Sequence, residues 1–125
     1  SFIGLPPMNF FNVKIENGKA VNQYFSVVLT DKERELLAGY EGREVTLGVR
    51  PEDVDEGGDI SVCVYSNENL GMNTLVHGRL NNAHAADAAI TCKLRGWCDY
   101  KAGDTVKVQF VKRHFFDRET TNAIR

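Results

Sequence analysis

Apolar and polar residues alternate with a period of two in run after run of this chain. That pattern places side chains on the two faces of a strand rather than along one stripe of a helix. In FNVKIE, Phe11, Val13 and Ile15 share a face. The Asn17-Gly18 pair that follows suits the positive φ angles of a tight hairpin turn. Beyond it, Val21, Phe25, Val27 and Leu29 fall on one side of an expected second strand, with Gln23 as the polar exception. EVTLGV groups Val45, Leu47 and Val49, and Pro51 ends the run because it lacks an N–H. ISVCVYS groups Ile60, Val62 and Val64, TLVHGRL and AITCKLRG read as further strands, and TVKVQFV sets Val106, Val108 and Phe110 together.

The alternation breaks in TDKERELLAGYEG. Thr30 with Glu33 three residues later matches a capping box, Leu36 and Leu37 supply a small apolar face, and Gly39 is placed to stop the helix in a left-handed conformation. One helix of roughly two turns is expected. EGGD at 56–59 carries turn chemistry, and NNAHAADA at 81–88 is expected to be a loop whose alanines could form a helical turn. The spacing predicts an all-β chain of about seven or eight short strands with one short helix, closed or nearly closed into a barrel rather than laid out as a βαβ sheet.

A length of 125 residues suits a single domain over 1–125. With 42% hydrophobic and 26% charged residues, the chain can bury a core. A net charge of −2 and a pI near 5.9 argue against non-specific nucleic-acid binding, which needs a basic face. No apolar run approaches the ~18 residues of a membrane helix. Ser1 stands where a start methionine would, with no signal-peptide pattern after it, so the chain is expected to be a piece of something longer. Three cysteines without a CxxC pair fit a reducing, cytosolic setting better than a disulfide framework.

Motifs for chemistry are missing. There is no GxxxxGK[ST] phosphate loop, no GxGxxG, no GxSxG and no HExxH. A zinc site from His84, Cys92 and Cys98 would need three ligands converging on a tetrahedron, and Cys92 lies inside an expected strand, where a buried thiol is the simpler role. His77 lacks any evident nucleophile or carboxylate and is expected on a sheet surface. Asp53, Asp55, Glu56 and Asp59 surround a glycine pair without the DxDxDG order of a calcium loop. Phe10, Phe11, Tyr24, Phe25, Phe110, Phe115 and Phe116 could stack nucleic-acid bases, but core packing and protein contact suit an acidic chain better.

Four segments in order, FIGLPPMNF, LGVRPEDV, NLGMNTLVHGRL and AGDTVKVQF…HFFDRETTNAI, resemble one family. It is the C-terminal regulatory domain, a TOBE or MOP-like OB-fold β-barrel, of ABC-importer ATP-binding subunits of the maltose-importer class. The resemblance implies that a nucleotide-binding domain precedes this region, and that ATP and magnesium belong there, so this piece is expected to have no catalytic residues, cofactor or metal. It also implies a cytoplasmic location at the inner face of the membrane, permease subunits docked to the ATPase domain, a homodimer formed through the regulatory domain and, in some members, a regulatory protein as partner.

Within that resemblance, Arg50 and Glu52 match an RPE element, as a bend with an ion pair or as a plain structural turn. Gly71, Thr74 and Leu75 match LGxxTLVH, and Asp104 of GDTV is expected to order a turn. RGWCDYKAGD departs from the family pattern, and its Trp97 and Tyr100 suit interface anchoring, with Trp97 as a plug of the barrel end the alternative. Phe115 and Phe116 resemble the family's closing HLFD element, one expected inward and the other free for protein contact. Related domains bind oxyanions, for which Thr74, Lys93 and Arg95 are candidates.

Overall fold

A computed structural model describes residues 6–125, so the start of the FIGLPPMNF segment, up to Leu5, lies outside the described residues. It divides into two compact units. One is Val49–Lys112 with residues 6–9, and the other is Phe10–Gly48 with Arg113–Arg125.

The second of these units carries a five-stranded sheet. Its strands are β1 (Asn9–Glu16), β2 (Lys19–Val21), β3 (Ser26–Val28), β4 (Glu44–Val49) and β9 (His114–Phe116), in the order β3-β2-β1-β4-β9. The Asn17-Gly18 hairpin forms with φ of 53° and 74°, and Ile15 pairs with Ala20. Phe11, Val13 and Ile15 are buried, and Phe11 meets Phe25 edge-to-face at 5.6 Å. The expected second strand is instead two. Asn22 Oδ1 accepts from the Tyr24 and Phe25 amides, making a side-chain turn that folds β3 back on β2. The turn shifts the alternation, so Ala20 rather than Val21 is buried ahead of Phe25, Val27 and Leu29.

Helix α1 (Asp31–Leu36) has the expected capping box, with Thr30 and Glu33 each bonding the other's backbone N–H. Gly39 does not end it. The cap is Leu37, 1% exposed, Gly39 sits in a following 3-10 turn, and the left-handed residue is Gly42 at φ 78°.

The other unit carries an antiparallel sheet in the order β7-β6-β5-β8, from β5 (Val54–Asn69), β6 (Asn73–Leu80), β7 (Ala89–Arg95) and β8 (Thr105–Phe110). Val62, Val64, Val76, Leu80, Leu94 and Val108 form its core with Cys92, whose burial pushes the thiol pKa up to about 12. EGGD is no turn, because β5 runs straight through it. The register with β8 jumps between Glu56 and Ile60, both opposite Val108, so these residues form a bulge. At Gly58 (φ 123°) a Cβ would lie 2.7 Å from the Val108 carbonyl oxygen, which only glycine avoids. Residues 81–88 leave β6 through Asn81 and Asn82 at positive φ and enter β7 through a 3-10 turn at Ala86–Ala88. Asn9 reaches β7 by its side chain, donating to the Thr91 carbonyl and accepting from the Thr91 amide, each at 2.9 Å.

Among the described residues, the chain has nine strands and one α-helix in two antiparallel sheets, the all-β class expected.

Candidate functional site

The β5–β6 connection and the β7–β8 connection lie at one end of the four-stranded sheet, because Asn73 pairs with Arg95. Asn69 Oδ1 accepts from the Gly71 amide, the Leu70 amide donates to the Asn73 carbonyl, and Gly71 takes φ 93°. Thr74 joins the two connections. Fully buried, its hydroxyl donates to the Gly96 carbonyl at 2.8 Å and accepts from the Cys98 amide at 2.9 Å, while the Gly96 amide donates to the Met72 carbonyl. Those bonds fix Trp97 between two anchored neighbours. Its side chain is 66% exposed, and Met72 and Leu70 are exposed on the facing turn.

Tyr100 is not a free anchor beside it. Its hydroxyl donates to Glu56 and its carbonyl accepts from Asn67, and burial first, then Glu56, raises its pKa. Asp104 Oδ2 accepts from the Lys101 amide at 2.8 Å. Arg50 and Glu52 are both exposed and make no ion pair with each other; the Arg50 carbonyl accepts from Asp53 in a 3-10 turn. The oxyanion set does not converge. Thr74 pairs with Leu94 on the buried face, which sends its neighbours Lys93 and Arg95 to the opposite face.

Strand pairing supplies what the sequence did not show for His77. Glu68 Oε2 lies 3.1 Å from its Nε2 and Thr91 Oγ1 3.4 Å from its Nδ1, with Tyr65 6.3 Å away and Arg79 over the Tyr65 ring. Glu68 is 61% exposed, so the group is a solvated surface network. Among the described residues, no three of His, Cys, Asp and Glu are placed to hold a metal.

In the five-stranded unit, Phe115 pairs with Leu47 and is 4% exposed, so it is a core residue and not a contact residue. Phe116, opposite Thr46, faces outward and meets the exposed Phe10 edge-to-face at 5.8 Å. The chain then turns at Asp117. Asp117 Oδ1 accepts from the Glu119 and Thr120 amides and Oδ2 accepts from the Tyr40 hydroxyl at 2.8 Å. Ala123 bridges back to Phe116.

The Thr120 amide, then Tyr40, holds the Asp117 carboxyl below its ordinary 3.8, while Asp117 raises Tyr40 above its ordinary 10.0. A lowered acid contributes stability that is full above its unfolded value and lost as pH falls through the folded one. A raised phenol contributes stability that is full below its unfolded value and lost as pH rises through the folded one. The C-terminal turn should therefore hold between about pH 4 and pH 10 and loosen beyond both limits. Amide chemical shifts of Glu119 and Thr120 across a pH series would report this, and flat curves at both extremes would refute it.

The family model described as MalK OB fold domain matches residues 4–54. That match makes the N-terminal part of the chain similar to the MalK OB fold domain. Curated relatives align over nearly all of the chain. They include the oligosaccharides import ATP-binding protein MsmX of Bacillus subtilis, 31% identical over 99% of this chain and 36% of its own length. The multiple sugar-binding transport ATP-binding protein MsmK of Streptococcus mutans is 29% identical over 99% of this chain and 35% of its own. The sn-glycerol-3-phosphate import ATP-binding protein UgpC of Ruegeria is 32% identical over 95% of this chain and 32% of its own. The chain thus spans about a third of the length of the curated relatives it matches.

Proposed function

We propose that this chain is the regulatory and dimerisation domain of an ATP-binding subunit that drives ABC-type import of a carbohydrate or related solute. The observation that carries the proposal is the end-to-end alignment with importer ATP-binding proteins roughly three times its length. With no phosphate loop in the sequence, nucleotide hydrolysis, magnesium and permease contacts are assigned to the rest of the intact protein. The module itself is non-catalytic, cytoplasmic and carried at the inner membrane face by the transporter.

Self-association is assigned to the end of the four-stranded sheet that presents Trp97, Met72 and Leu70. Exposed apolar side chains on a hydrogen-bonded frame are what an interface needs, since a two-fold axis sets the same patch against itself. In sedimentation velocity over a dilution series, the chain is expected to dissociate from dimer to monomer. Trp97→Ala is expected to weaken the dimer by about tenfold or more, or about 1.4 kcal/mol. A chain that stays monomeric at every concentration would overturn the dimerisation role, and a dimer indifferent to Trp97→Ala would move the interface elsewhere.

A further inference from the structure

The outer face of the five-stranded sheet carries a cleft of about 260 Å³ lined by Phe10, Thr46, Phe116, Asp117, Arg118 and Thr121. We propose that it is a binding site for a small neutral ring compound bearing several hydroxyls, of the pyranose class. This site is separate from the Trp97 patch and does not rest on the self-association argued above.

The floor is aromatic. Phe10 is 57% exposed, and its ring is held against Phe116 at an interplanar angle of 71°. The rim is polar and built in advance. Tyr40 and two backbone amides fix the Asp117 carboxylate and keep it ionised. Of the roughly four acceptor positions of a carboxylate, these bonds use three and leave one on Oδ2. Arg118 is braced through one Nη by Glu44, and the guanidinium keeps further donors. Thr46 adds a hydroxyl, and the Thr121 hydroxyl, which donates to the Thr120 carbonyl, keeps its acceptor capacity. Thr121 closes the turn at φ 61°, a costly conformation for a β-branched residue and one that concentrates at ligand sites.

Charge selects the ligand. The lining holds one guanidinium, Arg118, and one carboxylate, Asp117, and the neighbouring Arg43 and Glu44 also offset each other, so the cleft has no net charge to favour an ion. A pyranose has C–H groups on its ring faces and hydroxyls around its edge. That distribution matches an aromatic floor inside a donor-and-acceptor rim. The volume suits one ring rather than an extended molecule.

The test is an amide NMR titration of this 125-residue chain with glucose, with maltose and with inorganic phosphate. Either sugar is expected to shift the amides of Phe10, Thr46, Phe116, Arg118 and Thr121 saturably, with a dissociation constant on the order of 1 mM, and phosphate to leave them in place. Phe10→Ala removes an exposed ring, so it should fold with an unchanged melting temperature and lose about tenfold in affinity. Unsaturable or absent shifts with both sugars, equal shifts with phosphate, or unchanged affinity in Phe10→Ala would each overturn the proposal. Because the readout is local shift and not oligomeric state, its failure leaves the dimerisation test untouched.

Discussion

Replacing Glu33 by alanine is expected to cost about 3–5 kcal/mol, the loss typical when one partner of a buried ion pair is removed. A single carboxylate performs three tasks. Its Oε1 accepts from the Thr30 amide at 2.9 Å and from Arg113 Nη2 at 2.6 Å, and its Oε2 accepts from Arg113 Nε at 3.1 Å. The two side chains are only 13% and 12% exposed, so removing Glu33 leaves a guanidinium largely out of water without its carboxylate. Helix α1 has six residues and buries none of them, so it cannot persist on propensity alone. The fork to Arg113 and the Leu37 side chain are what tie it down. Chemical denaturation would show a lowered midpoint. The double variant Glu33→Leu with Arg113→Met should cost less than Glu33→Ala alone, because it strands no charge. A midpoint for Glu33→Ala indistinguishable from the parent would refute the assignment.

Gly78→Ala is expected to cost about 3 kcal/mol, at the severe end of core overpacking. Gly78 lies in β6 opposite Val64, with ordinary strand backbone and no positive φ. Its constraint is space. A Cβ there would fall 2.5 Å from the Cys63 carbonyl oxygen and 2.6 Å from Val62 Cγ1, and the first is backbone of a central strand that cannot rotate away. The approach occurs beside the register shift between Val64 and Ser66, where β5 is kinked against β6. Gly39→Ala serves as the control, since nothing lies within 4 Å of a Cβ at that position. Thermal melting should separate the two by many degrees, and equal melting temperatures would sink the prediction.

Local chemistry was readable in the sequence where neighbouring residues decide the structure. Asn17-Gly18 and the Thr30–Glu33 box act over three or four residues, and both formed as written. The buried faces of β4, β8 and the middle of β5 followed from alternation alone. The failures are of two kinds. Val21, Gln23 and Phe25 kept the period of a strand while Asn22 used its side chain to imitate a turn, so periodicity concealed a break. EGGD carried turn residues for a different purpose, because positive φ serves a bulge as well as a turn. The sites depend on pairing at a distance. Glu68 reaches His77, and Thr74 reaches Gly96 and Cys98, only once the strand register is set. Which of the two closing phenylalanines is buried also required the register, which sets Phe115 against Leu47.

The Asn9 side chain has a consequence for what the folded protein avoids. Among the described residues, strand β7 is the outermost strand of its sheet. Such a border exposes free amides and carbonyls to any other extended chain and can template growth into fibrils. Asn9 occupies both backbone groups of Thr91, near the middle of that border. An amide side chain there satisfies the strand as a neighbour would, but it cannot be extended by another residue. One short polar side chain thus interrupts the surface on which a misdirected second molecule would have to begin.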